Sequence, residues 1–333
     1  MSPLVADCRV VSIVTKGLIL TNQRHNHSTM TSRRSAQREK KLSSYLNWLF
    51  FEMLRQLWIE RGEQMGGTTT TGAIRIGIGG WTYQPWRGTF YPDKLPQKRE
   101  LEYASRQLTS IEINGTFYGA QKPETFAKWR DETPDGFVFS VKAPRFATNR
   151  EVLGDADRTI ARFFAGGVME LKDKLGPINW QLMPTKQFNP SDFEAFLKLL
   201  PKEVEGRALR HVVEVRHDSF RSPDFIALAR EHGVAVAIAA HSAYPQIADP
   251  TAPFVYARIM GTRETAELGY SDAALDRWAA RARAWASGEA VDGLDCVETR
   301  NADGKARDVY IYVISGYKVR NPAAAMALLR RLG

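Results

Sequence analysis

The residues able to do chemistry lie at the ends of short segments in which apolar and polar side chains alternate. Glu112 and Glu214 are carboxylates on two such segments. They can give and take protons once burial or a neighbouring charge sets their pKa near working pH, or share a divalent cation through oxygen. Lys142, Arg145, Arg216 and Arg258 can hold an anionic group, with arginine able to fork onto phosphate or carboxylate. Asn114 and Gln181 can orient a polar ligand, and His217 and His241 follow two of the segments. Trp81 and Tyr118 can stack on a sugar ring or a nucleobase. Cations outnumber acids in this set, so a small anionic or polyhydroxyl substrate fits better than a neutral apolar one. The competing reading is structural: Glu214 and Arg216 can simply form an ion pair that satisfies both.

These side chains need strands to aim them. Strand patterns run over 74–79, 109–114, 137–142, 178–182, 211–216, 234–239, 254–260 and 309–314, with helical patterns over 98–107, 123–130, 157–175, 190–200, 223–232, 272–287 and 322–332. Pro123, Pro190, Pro223 and Pro322 stand where helices begin, a position that tolerates a missing N–H. Eight strands alternating with helices predict an α/β fold, a (β/α)8 TIM-type barrel, over a doubly wound open sheet. In such a barrel, functional groups come from strand C-termini. Strand alternation turns Glu112 and Asn114 inward, opposite Ile111 and Ile113. It likewise turns Ser140 with Lys142, Asn179 with Gln181, Glu214 with Arg216, and Tyr256 with Arg258 toward the axis.

Composition sets the frame. The chain has 333 residues, 44% hydrophobic and 25% charged, with net charge +9, which excludes a mostly disordered chain and a polytopic membrane protein. No uncharged stretch approaches the roughly 20 residues of a membrane span, so no integral membrane segment is expected. Residues 1–72 carry 10 Lys/Arg against 5 Asp/Glu, so over half of the excess charge sits in a fifth of the chain. This extension reads as basic and disordered at first, then as an amphipathic helix over 42–60 and a polar linker over 66–72. Nucleic acid is a candidate partner through it. The abrupt change of composition there makes Met53 or Met65 a candidate start. Cys8 and Cys296 fit no metal or redox spacing, and reduced thiols in the cytoplasm are the expectation. No zinc, Walker or dinucleotide motif is present, so cofactors and metal stay unassigned. Gly77–Gly80 reads as a tight turn rather than a cofactor loop.

The segments 77–92 (GIGGWTYQPWRGTFYP), 112–145 (EINGTFYGAQKPETFAKWRDETPDGFVFSVKAPR), 175–182 (LGPINWQL) and 213–220 (VEVRHDSF) together resemble the YecE-like family, domain of unknown function 72. The stretches 254–261, 269–285 and 308–313 continue the likeness in order. The resemblance covers 73–333 and none of 1–72. It implies a TIM-type barrel and a kinship to sugar isomerases with no established reaction. Two departures stand out. Gly-Thr-Ser-Gly-Trp of the family is here Gly77-Ile78-Gly79-Gly80-Trp81, and Phe-Asp-Asn-Asp after strand eight is Val313-Ile314-Ser315-Gly316. If those acids bind metal or move protons in relatives, specificity is altered here or the site is inactive.

The expectation is a TIM-barrel enzyme acting by carboxylate-mediated proton transfer or hydrolysis, isomerase-like or hydrolase-like. Glu112, Glu214 and Lys142 are its catalytic candidates. Asn114, Gln181, Arg216, His217, Arg258, Trp81 and Tyr118 are its binding candidates. A non-catalytic binding protein for nucleic acid or a protein partner, or a degenerate enzyme, is the alternative.

Overall fold

Eight segments in which every second residue is apolar can bury that apolar side only under helices, and they do so by closing on themselves. In the computed structural model, which describes residues 71–298 and 302–333, the strands are β1 (Ile74–Gly79), β2 (Ser110–Ile113), β3 (Val138–Lys142), β4 (Leu175–Gln181), β5 (His211–Glu214), β6 (Ala235–Ala240), β7 (Phe254–Ile259) and β8 (Asp308–Val313). Each pairs in parallel with its sequence neighbours, and β8 returns to β1 through the register Ile76↔Ile311 and Ile78↔Val313. The result is the expected closed (β/α)8 barrel. The expected helix over 42–60 and nearly all of the 66–72 linker lie outside the described residues.

Seven main helices follow in order among the described residues: α1 (Glu100–Gln107), α2 (Pro123–Asp131), α3 (Asp157–Ala165), α4 (Pro190–Leu199), α5 (Pro223–Glu231), α6 (Asp272–Ser287) and α7 (Asn321–Leu332). Asn189 caps α4 by accepting the Asp192 N–H at 3.1 Å, and Ser271 caps α6 through the Ala274 N–H. Gly288, at φ +80°, ends α6 in the left-handed conformation that glycine adopts without strain. The connection from β6 to β7 carries no helix. A short antiparallel ribbon, 203–204 with 207–208, precedes β5.

One helix is shorter than its pattern. The apolar period over 157–175 predicts a single helix, but α3 stops at Ala165. Gly167 has φ +96°, and a Cβ there would lie 2.6 Å from the Pro123 backbone. The chain therefore breaks against the start of α2, continues in 3-10 turns over Val168–Lys174 with a kink at Lys172, and enters β4 at Leu175.

Two apolar layers result. Outward-facing Ile76, Ile111, Phe139, Ile178, Val213, Val255 and Ile311 pack under the helices. The inward layer holds Val212, Ala235, Ala237, Ala239, Phe254, Tyr256, Tyr310 and Tyr312. The alanines of β6 pair in register with Tyr256 and Arg258. Small residues on one wall thus leave room for large ones on the next, as interdigitated barrel layers require. Gly77 does the same on β1: an added Cβ would meet the Ser110 carbonyl oxygen at 2.2 Å and the Tyr312 ring at 3.1 Å.

Candidate active site

The polar residues that alternation turns inward do meet at the C-terminal mouth, and Arg258 of β7 joins them. Its Nη2 donates to Glu112 Oε1 at 3.0 Å and its Nη1 to Glu214 Oε2 at 2.5 Å. The two carboxylates come from β2 and β5, so the guanidinium spans the barrel. It takes the place between the acids that a shared divalent cation would need. Among the described residues, no three of His, Cys, Asp and Glu gather as a metal-ligand set.

The two acids differ in how fully they are engaged. Glu214 Oε1 accepts from Gln181 Nε2 at 3.0 Å and from Arg216 Nε and Nη2 at 3.0 and 2.8 Å. Its Oε2 accepts from Asn179 Nδ2 at 3.2 Å as well as from Arg258. Burial opposes ionisation, but Arg258, Arg216 and Lys142 outweigh it and hold the carboxyl down at about 2. Among the described residues Glu112 has only Arg258 and the Tyr256 hydroxyl, which donates to Oε2 at 2.6 Å. Burial raises its pKa, while Arg258, Lys142 and the tyrosine together bring it below the usual range.

A tyrosine–serine layer supports the network from below. Ser140 Oγ lies 2.8 Å from Tyr256 OH, and Ser110 Oγ lies 2.7 Å from Tyr312 OH. Tyr256 gives its proton to an ionised carboxylate, so its oxygen only accepts from Ser140, whose single proton is shared between that phenol and the Pro177 carbonyl 2.9 Å away. Burial lifts both phenols well above their ordinary pKa. The alternation of Asp308–Val313 turns Tyr310 and Tyr312 inward together, a signal that the polar residues on other strands overshadowed.

Lys142 stands apart. The residue is buried, its Nζ lies 4.6 Å from the Phe117 ring centroid, and that ammonium makes no hydrogen bond among the described residues. Burial, then Arg258, pushes its pKa down to about 8. Thr116 Oγ1 holds the Lys142 carbonyl at 2.6 Å and so fixes the strand end. Two buried polar atoms, Oδ1 of Asn179, which pairs in register with Lys142, and Nε of Arg258, make no hydrogen bond to the protein among the described residues.

The remaining candidates occupy other positions. Arg216 stacks on Tyr244, 4.3 Å from its centroid, a partner supplied by the loop after β6. Asn114 starts the helical turn Gly115–Tyr118, and its amide donates weakly to the Glu112 carbonyl at 3.3 Å. His217 is not brought into the network: its Nδ1 caps the turn at 218–220 by accepting the Ser219 N–H. His241 packs against Tyr270 and Trp278. Trp81 packs edge-on against Trp129 at 5.1 Å and against Phe139 on the helix side. Tyr118 stands at the rim, 68% exposed.

The end of β8 is apolar and tightly held. Ile314 faces the interior, and Ser315 and Gly316 take φ +55° and +57°. A Cβ on Gly316 would meet Thr262 Oγ1 at 2.7 Å and the Thr262 backbone at 2.8 Å. The turn is therefore a specific structure built around Thr262, whose hydroxyl also meets Asn321 at 2.8 Å.

Known proteins resemble this one over the barrel. A family model described as "Protein of unknown function DUF72" matches residues 75–333. The UPF0759 protein YecE of Escherichia coli K12 is 31% identical over 150 residues, 44% of this chain and 50% of that protein. The UPF0759 protein YunF of Bacillus subtilis is 32% identical over 78 residues, 23% and 27% of the two chains. The chain thus spans half the length or less of the curated relatives it matches. Among solved structures, a DUF72 family protein of Thermotoga maritima superposes with TM-score 0.61 at 18% identity, covering 78% of this chain and 99% of that one. One from Enterococcus faecalis gives 0.56 at 15%, covering 79% and 100%. Among the described residues, no helix is long and apolar enough to cross a membrane. The nucleic-acid partner expected of the basic extension falls on residues outside the described ones.

Proposed function

The chain belongs to the DUF72 family, and from that premise we propose that its barrel mouth is the active site of an enzyme acting on a small anionic, polar or sugar-like molecule. The observation that carries this reading is a charge surplus with an address. Glu112 and Glu214 face Lys142, Arg216 and Arg258; both arginines are engaged by the carboxylates, and the lysine is left over. Lys142 is 7% exposed and sits in the field of Arg258 and Arg216, so its ammonium gains when an anion joins it. Lys142 therefore offers the position for the substrate's anionic group.

The roles divide accordingly. Glu214, held by five donors, fixes Arg216 and Arg258 and does not exchange protons near neutral pH. Glu112, with fewer partners, is the carboxylate suited to proton transfer, with Tyr256 as its hydroxyl relay. Lys142, near pKa 8, binds an anion when charged and can accept a proton when neutral. Asn114 and Gln181 orient the ligand, while Tyr118 borders it.

Titration calorimetry with inorganic phosphate and a sugar monophosphate tests this reading. Both should bind to the full chain, the sugar ester more tightly, and Lys142→Met should remove the binding. Equal affinity of Lys142→Met and the parent for both ligands would refute the assignment.

A further inference from the structure

Beside the mouth, the turns after β2 and β3 enclose a cavity of about 290 Å³ over α2 and α3. Its walls include five aromatic side chains, Phe117, Tyr118, Phe126, Phe146 and Phe163. Among the described residues, the exposed large hydrophobic side chains are Tyr118 at 68%, Phe146 at 61% and Val152 at 48%. The two most exposed rings therefore border one cavity, although rings of that size ordinarily gain by burial.

The cavity is also positively biased. Arg162 lines it and makes no ion pair among the described residues, and no acidic side chain contributes to the wall. The Arg145 guanidinium lies over the Phe146 ring at 5.1 Å. Phe117 connects the cavity to the mouth, because the ring that forms part of the wall also lies 4.6 Å from Lys142 Nζ. An apolar slot with one arginine in its wall and a second stacked on a wall ring is complementary to a flat apolar body bearing negative charge. A cavity of about 150 Å³ accommodates benzene, so this one has room for a one- or two-ring group.

We propose that this cavity is a subsite for an aromatic ring carried by the anionic ligand of the barrel mouth, so that the ligand class is an aromatic carboxylate or phosphate. The proposal rests on the reading that Lys142 receives the anion. The ring would lie between Phe146 and Tyr118, with its acid group across Phe117 at the lysine.

Binding of 2-naphthoate to the full chain, followed by calorimetry beside acetate and 2-naphthalenemethanol, tests both halves of the ligand. Naphthoate should bind at least about tenfold more tightly than either fragment. Phe146→Ser and Tyr118→Ser alter exposed rings and should melt like the parent while weakening naphthoate about tenfold, and Lys142→Met should reduce naphthoate to the level of the neutral alcohol. Naphthoate affinity unchanged in both ring variants overturns the subsite; Lys142-dependent phosphate binding in the same preparation would leave the mouth assignment standing. Loss of naphthoate in the ring variants with full binding by Lys142→Met overturns the link between cavity and mouth. Concentration-dependent self-association that Phe146→Ser abolishes and naphthoate does not disturb would give the cavity to a second copy of the chain, and would overturn the proposal as well.

Discussion

Arg258→Met is the most informative single perturbation of the barrel interior. The guanidinium is 6% exposed and bridges two carboxylates that are both fully buried. Methionine roughly fills the volume but leaves both acids without their shared cation. Glu214 keeps Arg216, Gln181 and Asn179. Glu112 keeps only Tyr256 and the field of Lys142, so the cost falls mainly there. Removing one partner of a buried pair costs about 3–5 kcal/mol, which corresponds to a fall in melting temperature of about 6–20 °C for a domain of this size. The loss must also depend on pH. In the parent, Glu112 titrates below its unfolded value of 4.5, so its contribution is present above that pH and disappears as pH falls. Without Arg258, burial dominates and the folded pKa of Glu112 rises above 4.5, so the variant loses stability as pH climbs through that range. The deficit should be small near pH 4 and largest near pH 8. Urea unfolding followed by tryptophan fluorescence across this range measures it, with buried Trp86, Trp180 and Trp278 as reporters. A pH-independent deficit, or one below about 1 kcal/mol, would refute the account. Adding Glu112→Gln to the variant should recover part of the loss, since Gln can still accept the Tyr256 hydroxyl.

Other predictions follow the same chemistry. Acetylation of Lys142 at graded pH, read by peptide mass spectrometry, should have its midpoint near 8; a midpoint near 10.5 would refute the burial argument. Tyr256→Phe deletes the hydrogen bond to Glu112 and should cost about 1.5–3 kcal/mol at pH 7, with the loss again shrinking in acid; an unchanged urea midpoint would count against that bond. His211 accepts from Trp180 Nε1 at 3.0 Å and meets the Pro201 carbonyl at 2.8 Å, and burial pushes its pKa down to about 4. It is therefore neutral when folded and charged when unfolded below 6.5, so stability should fall as pH drops from 6.5 toward 4, by at most about 3 kcal/mol. His211→Gln should flatten the stability profile between pH 6.5 and 4.5, the part in which the mouth carboxylates do not titrate; an unaltered slope there would reject the neutral histidine.

Much of this molecule was legible along the chain because the information is local. The alternation in Ser110–Ile113, Phe254–Ile259 and their counterparts determined which side chains face the axis, since period two is a property of the extended backbone itself. Strand count and helix-initiating prolines determined the fold class in the same way. The break at Gly167 was not legible, because it depends on Pro123, far away in sequence but pressed against it. Nor were the partnerships at the mouth. Alternation places Glu112, Glu214 and Arg258 inside, but only closure brings β2, β5 and β7 around one guanidinium, across 146 and 44 residues of chain. That closure turned two equivalent acid candidates into unequal ones and left Lys142 as the unmatched cation. Facing is set by neighbouring peptide units; pairing, burial and protonation are set by distances through space, and those exist only once the barrel is shut.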